Sequence, residues 1–187
     1  MLKRAFDILG AGVGLLLIWP VLLALALAVR LESPGPALHW SRRVGRDNRL
    51  FAMPKFRSMR TDTPDVATHL LADPAQWITP LGGWLRRTSL DELPQLWSIL
   101  IGEMSFVGPR PALHNQDDLI ALRTSEGVHR LRPGLTGWAQ VNGRDDLPIP
   151  EKVRLDRAYL DRMSFGLDLR ILAATARAAL TGRGVSH

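Results

Sequence analysis

The chain has 187 residues, enough for one compact domain and a membrane segment. It contains no Cys, which excludes disulfides, a thiol nucleophile and thiolate metal sites, and its five His residues form no His-x-x-x-His pair, so a zinc centre is not expected. Of the 24 basic residues only three are Lys, and the net charge is +6; guanidinium groups suit phosphate and anionic headgroups, or serve simply as solvated surface, while no basic repeat interleaved with aromatics points to nucleic acid.

From Ile8 to Val29 the chain runs 22 residues without a charge, with Pro20 near the middle. A straight helix of that length measures about 33 Å, enough to cross a bilayer core. Basic residues flank the run on both sides: Lys3 and Arg4 before it, Arg30, Arg42 and Arg43 after it. Crossing would put positive charge on both faces, against the cytoplasmic preference of Lys and Arg. A break at Pro20 removes the conflict, giving two half-helices of roughly 18 and 14 Å that return to the same side. Residues 1–30 are therefore expected as a re-entrant membrane hairpin, and 31–187 as an enzyme-sized body on the cytoplasmic face. A plain span, and a signal peptide cleaved near Ala24-Leu25-Ala26, are the alternatives.

Ser33-Pro34-Gly35-Pro36 is a hard turn. Residues 37–60 alternate loosely between apolar and basic, and predict a β-hairpin turning at Arg46-Asp47-Asn48. Residues 61–80 read as loop, with one helical turn at 66–71. Helices are predicted over 81–87, 90–100, 111–123, 151–163 and 167–180, with tight loops at 102–111 and 132–144. Twelve of the thirteen prolines fall between Pro34 and Pro150, so short elements joined by rigid turns should build the site. The last helix carries an apolar stripe at Leu169, Leu172, Ala173, Ala176 and Leu180, which suits either the core or a lipid surface.

The densest motif is Arg86-Arg87-Thr88-Ser89-Leu90-Asp91-Glu92-Leu93-Pro94-Gln95. Ser89 and Glu92 have capping-box spacing. The same spacing places Asp91 in a first helical turn, where free N–H groups favour anions. A phosphate beside two adjacent carboxylates calls for a bridging cation, so Mg²⁺ is implied. In Gly108-Pro109-Arg110-Pro111, prolines on both sides fix the direction of Arg110. The stretch Arg132–Arg144 holds three glycines, two arginines, Trp138, Gln140 and Asn142; it can admit a ligand to the backbone and pair arginines with a diphosphate, or bury Trp138 in the core.

These motifs, with Lys3-Arg4-Ala5-Phe6-Asp7 and Lys55-Phe56-Arg57-Ser58-Met59, make the chain resemble the bacterial sugar transferases, the monotopic phosphoglycosyl transferases that start glycoconjugate assembly. The resemblance covers nearly all 187 residues, and the length matches the small members. It implies a re-entrant hairpin at Pro20 and a catalytic domain over 31–187 on the cytoplasmic face of a bacterial inner membrane. It also implies transfer of a phosphosugar from a UDP-sugar to undecaprenyl phosphate, with release of UMP. Asp91 matches the nucleophile and Glu92 its metal-binding partner, Mg²⁺ being held by the pair. Arg86 and Arg110 would grip phosphates; Lys55, Asn142 and Arg144 would line the rim or meet the nucleotide. Many relatives carry Ser-Pro at the bend, where this chain has Trp19-Pro20.

The expected fold is α+β and mostly helical, with the membrane hairpin, a small β element and amphipathic interfacial helices. The expected partners are UDP-sugar, undecaprenyl phosphate and membrane lipid; a homo-oligomer is compatible with the sequence. Two other functions compete: a membrane glycosyltransferase that moves only the sugar and releases UDP, and a non-catalytic membrane scaffold.

Overall fold

A computed structural model of the chain describes residues 2–64, 73–143 and 147–181. The expected helical turn at 66–71 and Arg144 lie outside the described residues.

One long helix, α1 (Leu2–Glu32), makes the N-terminal segment. The expected break into two half-helices is not found: the helix runs through Pro20. Proline removes only its own N–H from the ladder, and the turns on either side continue to pair. Along the full length, one stripe packs on the rest of the molecule. Asp7, Ala11, Leu15 and Ile18 are followed by Leu22, Leu25, Ala26 and Val29, at the spacing of a single helix face. The outer face keeps Leu9, Val13, Leu16, Leu17, Trp19, Leu23, Leu27 and Leu31 exposed. The helix is apolar on both faces, which an ordinary surface helix is not.

Both ends of α1 are tied to the same body. Lys3 Nζ donates to the Val107 carbonyl (2.9 Å) and pairs with Asp168 Oδ2 (2.7 Å). Arg4 donates to the carbonyls of Ile99 and Leu100. The buried Asp7 carboxylate accepts from the Phe106 N–H (3.0 Å) and the Ser105 hydroxyl. At the other end, Arg57 donates to the carbonyls of Val29, Ser33 and Pro34, so one guanidinium ties the last turn of the helix and the segment after it to the end of the hairpin. Glu32 Oε1 accepts from the Leu81 N–H.

The predicted hairpin forms as β1 (Leu38–Val44) and β2 (Leu50–Phe56), antiparallel, with Ser41 opposite Met53 and Arg43 opposite Phe51. Arg46–Asn48 turns it, with Asp47 and Asn48 at positive φ. The helix α2 (Pro80–Arg87) starts on Thr79, whose hydroxyl accepts from the Gly82 N–H. Gly82 lies directly against the Ser58 backbone, where a Cβ would come within 2.0 Å of the Ser58 oxygen.

The expected helix 90–100 is split. A 3₁₀ turn (Leu90–Glu92) precedes α3 (Gln95–Ile101), with Pro94 between them. The two predicted loops at 102–111 and 132–144 pair with each other, as parallel strands β3 (Ser105–Val107) and β4 (Gly134–Thr136). Three-residue strands are too short for alternation to reveal. The remaining helices are α4 (Asp117–Ser125), α5 (Trp138–Val141), α6 (Ile149–Arg162) and α7 (Phe165–Thr181). In α7 the buried side chains are Asp168 and Ile171, whereas Leu169 of the expected stripe is 45% exposed and Ala173 and Ala176 are also exposed. Trp138 is half-buried against the cluster around Val107, Tyr159 and Ile171. The described chain is mostly helical with two small sheets, as an α+β reading expects.

Candidate active site

The site is built where β2, the turn before α3 and the segment after β3 meet. Antiparallel pairing puts Arg43 and Lys55 on one face of the hairpin, because direct partners and every second residue share a face. After α2, Ser89 adopts a left-handed conformation (φ 56°) and its side chain makes no cap, so the expected capping box is absent. Glu92 instead turns toward the hairpin. Its Oε1 accepts from Lys55 Nζ at 2.9 Å and lies 3.5 Å from Arg110 Nη2. A 3₁₀ turn closed by Pro94 leaves Glu92 outside the first turn of α3, where a box would need it.

Asp91, beside Glu92 in the same turn, is 7% exposed. Burial pushes its carboxyl above the ordinary range, and Glu92 adds to the rise; Lys55, Arg86 and Arg110 pull it back. Glu92 is half-buried too, and burial alone would raise it. The Lys55 charge and hydrogen bond, with Arg110 and Arg43, outweigh that and bring it down to about 2. Two adjacent carboxylates are thus driven apart by their surroundings, a pattern that assigns them different work.

Arg86 comes from the last turn of α2 and donates from Nε to the Ser58 hydroxyl at 2.9 Å. Arg110 is braced from behind. Arg123 Nη1 donates to the Arg110 carbonyl at 2.7 Å, while its Nε and Nη2 hold Asp156 Oδ2 in a buried pair. Arg43 donates to the Ser41 hydroxyl and the Pro111 carbonyl. A small cavity opens between Arg43, Lys55 and Arg110, lined also by Glu92, Gln95 and Gly134. Gly134 is required there: a Cβ would fall within 2.1 Å of the Gly108 nitrogen. A second depression, holding Asn48 and His129, shares the Arg110-Pro111 wall.

The structure therefore gathers Asp91, Glu92, Lys55, Arg86 and Arg110 into one electrostatic cluster. Asn142 is not brought to it; its amide donates to the Trp138 carbonyl at 2.7 Å at the exposed end of α5. Arg144 is outside the described residues. Arg43 and Gln95 belong to the site without having been singled out. Gln95 stood in the Asp-Glu motif, four residues from Asp91, but Arg43 had no local signal, because hairpin pairing brings it in.

Among the described residues, no group of three His, Cys, Asp or Glu could cage a cation. A neighbouring Asp-Glu pair beside a cationic cavity fits a different habit, that of Mg²⁺, which takes one or two carboxylates and completes its shell with water and phosphate oxygens.

A family profile described as bacterial sugar transferase matches residues 1–182. The chain belongs to that family. It is 41% identical to an undecaprenyl-phosphate glucose phosphotransferase of Komagataeibacter xylinus, over 97% of this chain and 36% of the relative. It is 42% identical to the UDP-glucose:undecaprenyl-phosphate glucose-1-phosphate transferase of Escherichia coli K12, over 94% and 39%. The chain thus spans little more than a third of the length of these two curated relatives. An exopolysaccharide production protein of Rhizobium leguminosarum is 40% identical and is matched over 98% of both chains.

Proposed function

We propose that this bacterial sugar transferase moves a sugar 1-phosphate from a UDP-sugar to undecaprenyl phosphate at the cytoplasmic face of the bacterial inner membrane. The observation that carries this is a nearly buried carboxylate, Asp91, set among Lys55, Arg86 and Arg110 beside Glu92, an acid that Lys55, Arg110 and Arg43 keep ionised. The names of the relatives support the substrate classes.

An Asp91 oxygen attacks the β-phosphorus of the donor. The bond from that phosphorus to the oxygen bridging the α-phosphate breaks, and UMP leaves with the oxygen and the electron pair. A phosphate oxygen of undecaprenyl phosphate then attacks the same phosphorus. The bond to Asp91 breaks, regenerating the carboxylate and giving an undecaprenyl diphosphate sugar. Dividing one displacement into two is nucleophilic catalysis. Arg110, Lys55 and Arg86 balance phosphoryl charge, and desolvation strengthens each of those interactions. Asp91 and Glu92 would hold Mg²⁺, which supplies charge neutralisation of the phosphoryl oxygens when bound.

The lipid substrate fits the placement of α1. Its outer face is bare and apolar, its 18-residue apolar window has a mean hydropathy of 2.5, and both ends are tied to one body. In this proposal α1 enters the membrane and keeps its two ends on one side, and the apolar outer face and the tying of both ends to one body support it.

The test is nucleotide release from purified protein with Mg²⁺, undecaprenyl phosphate and a panel of UDP-sugars. UMP that disappears in Asp91→Ala is the expected result. UDP would mean sugar-only transfer and would overturn the covalent route. Neither nucleotide from folded protein across the panel would favour a scaffold.

A further inference from the structure

We propose that the side-chain amide of Gln95 donates a hydrogen bond to a phosphoryl oxygen of the ligand held in the Glu92 cavity. The inference deepens the phosphosugar-transfer reading and rests on it for the identity of the ligand. Gln95 opens α3, is 3% exposed, and lines the cavity with Arg43, Lys55, Glu92 and Arg110. Its Nε2 is buried without a hydrogen-bond partner.

Its neighbours are engaged. Lys55 and Arg110 meet Glu92, and Arg43 meets the Ser41 hydroxyl and the Pro111 carbonyl. A buried donor without a partner is disfavoured, and native proteins keep few of them. An orphan on a residue that lines a cavity is explained if its acceptor arrives with the ligand. The cavity specifies what that acceptor is. Three cations line it against a single acid, and two of those cations already contact that acid. An anionic oxygen is favoured there, and a phosphoryl oxygen meets both requirements. Arg and Lys supply attraction; the neutral amide supplies direction, since Pro94 and the start of α3 fix its backbone.

The experiment pairs activity with stability and binding. Gln95→Met keeps the volume and removes the donor; Gln95→Glu keeps the shape and places a carboxylate where an anion should bind. With wild type releasing UMP, Gln95→Met is expected to lower kcat/KM by about ten- to a hundredfold, the usual range for a hydrogen bond to a charged group. Gln95→Glu should lower it further. The melting temperature of Gln95→Met should stay level or rise, because the variant no longer buries an unpaired donor. Activity within twofold of wild type, or a melting temperature that falls together with activity, would overturn the proposal.

Calorimetric titration with UDP separates this inference from the reading beneath it. Affinity about tenfold weaker in Gln95→Met supports the amide contact whichever nucleotide the wild type releases. Equal affinity removes the contact even if UMP release stands. A folded wild type that binds no UDP removes both.

Discussion

Lys55 Nζ and Glu92 Oε1 meet at 2.9 Å, which places the charge of a hairpin strand beside the turn that carries Asp91. The ammonium lowers both carboxyls, Glu92 far below its ordinary value and Asp91 against the upward push of burial. Lys55→Met should therefore raise both. The acidic limb of the kcat/KM profile is expected to move up by about one pH unit or more, the size typical of losing a close opposite charge. Lys55→Arg should restore most of the wild-type profile. A profile unchanged in Lys55→Met would show that the contact does not govern the nucleophile.

Glu92 gives a stability prediction with a definite sign. Its folded pKa, about 2, lies below the ordinary 4.5, so the folded state holds the ionised form more tightly than the unfolded chain does. The stabilisation is fully present above the ordinary value and is lost as pH falls from there toward 2. Denaturant unfolding followed across that window should show a decline in wild type that is shallower in Glu92→Gln.

Asp91 has the opposite sign. A raised carboxyl pKa means that the ionised form is disfavoured in the folded state, at a cost present at neutral pH and relieved on acidification. Asp91→Asn should abolish UMP release while leaving the melting temperature at neutral pH equal to or above that of wild type. Loss of activity accompanied by a lower melting temperature would point to a structural role instead.

Arg123 and Asp156, 8% and 1% exposed, form the buried pair behind Arg110. Removing one partner strands the other. Arg123→Met or Asp156→Asn is expected to cost about 3–5 kcal/mol in urea unfolding. In the same variants the Arg110 segment loses support, so surviving activity should show a higher KM for the UDP-sugar.

The placement of α1 can be read with single cysteines, since the chain has none of its own. Leu2→Cys and Pro36→Cys, in sealed inverted membrane vesicles, should both react with a membrane-impermeant thiol reagent. Labelling of only one of them would establish a span across the bilayer.

Much of the architecture was legible in the sequence. The uncharged run announced a long apolar helical segment, though as two half-helices where α1 is one; alternation announced the hairpin, and helical spacing located α2, α6 and α7 to within two residues. Local pattern misled at Ser89 and Glu92. The capping box is a statement about neighbours in sequence, and it lost to Lys55, thirty-seven residues away in the chain. The parallel pairing of Ser105–Val107 with Gly134–Thr136 was illegible for a related reason: each strand is too short to show a period, and each exists because the other is beside it.

The sequence by itself determined the chemistry available: an Asp-Glu pair between arginines, a proline-fixed Arg110, an apolar N-terminal helix and no thiol. Only the tertiary structure decided that Lys55 and Arg43 share a sheet face over Glu92, that Asn142 caps a helix away from the acid pair, and that Gln95 lines the cavity with its buried amide nitrogen unpaired. Residue types and short spacings record what groups can do, whereas pKa and partnership depend on burial and on charges brought near by long-range pairing, where Coulomb interaction and desolvation act through space and not along the chain.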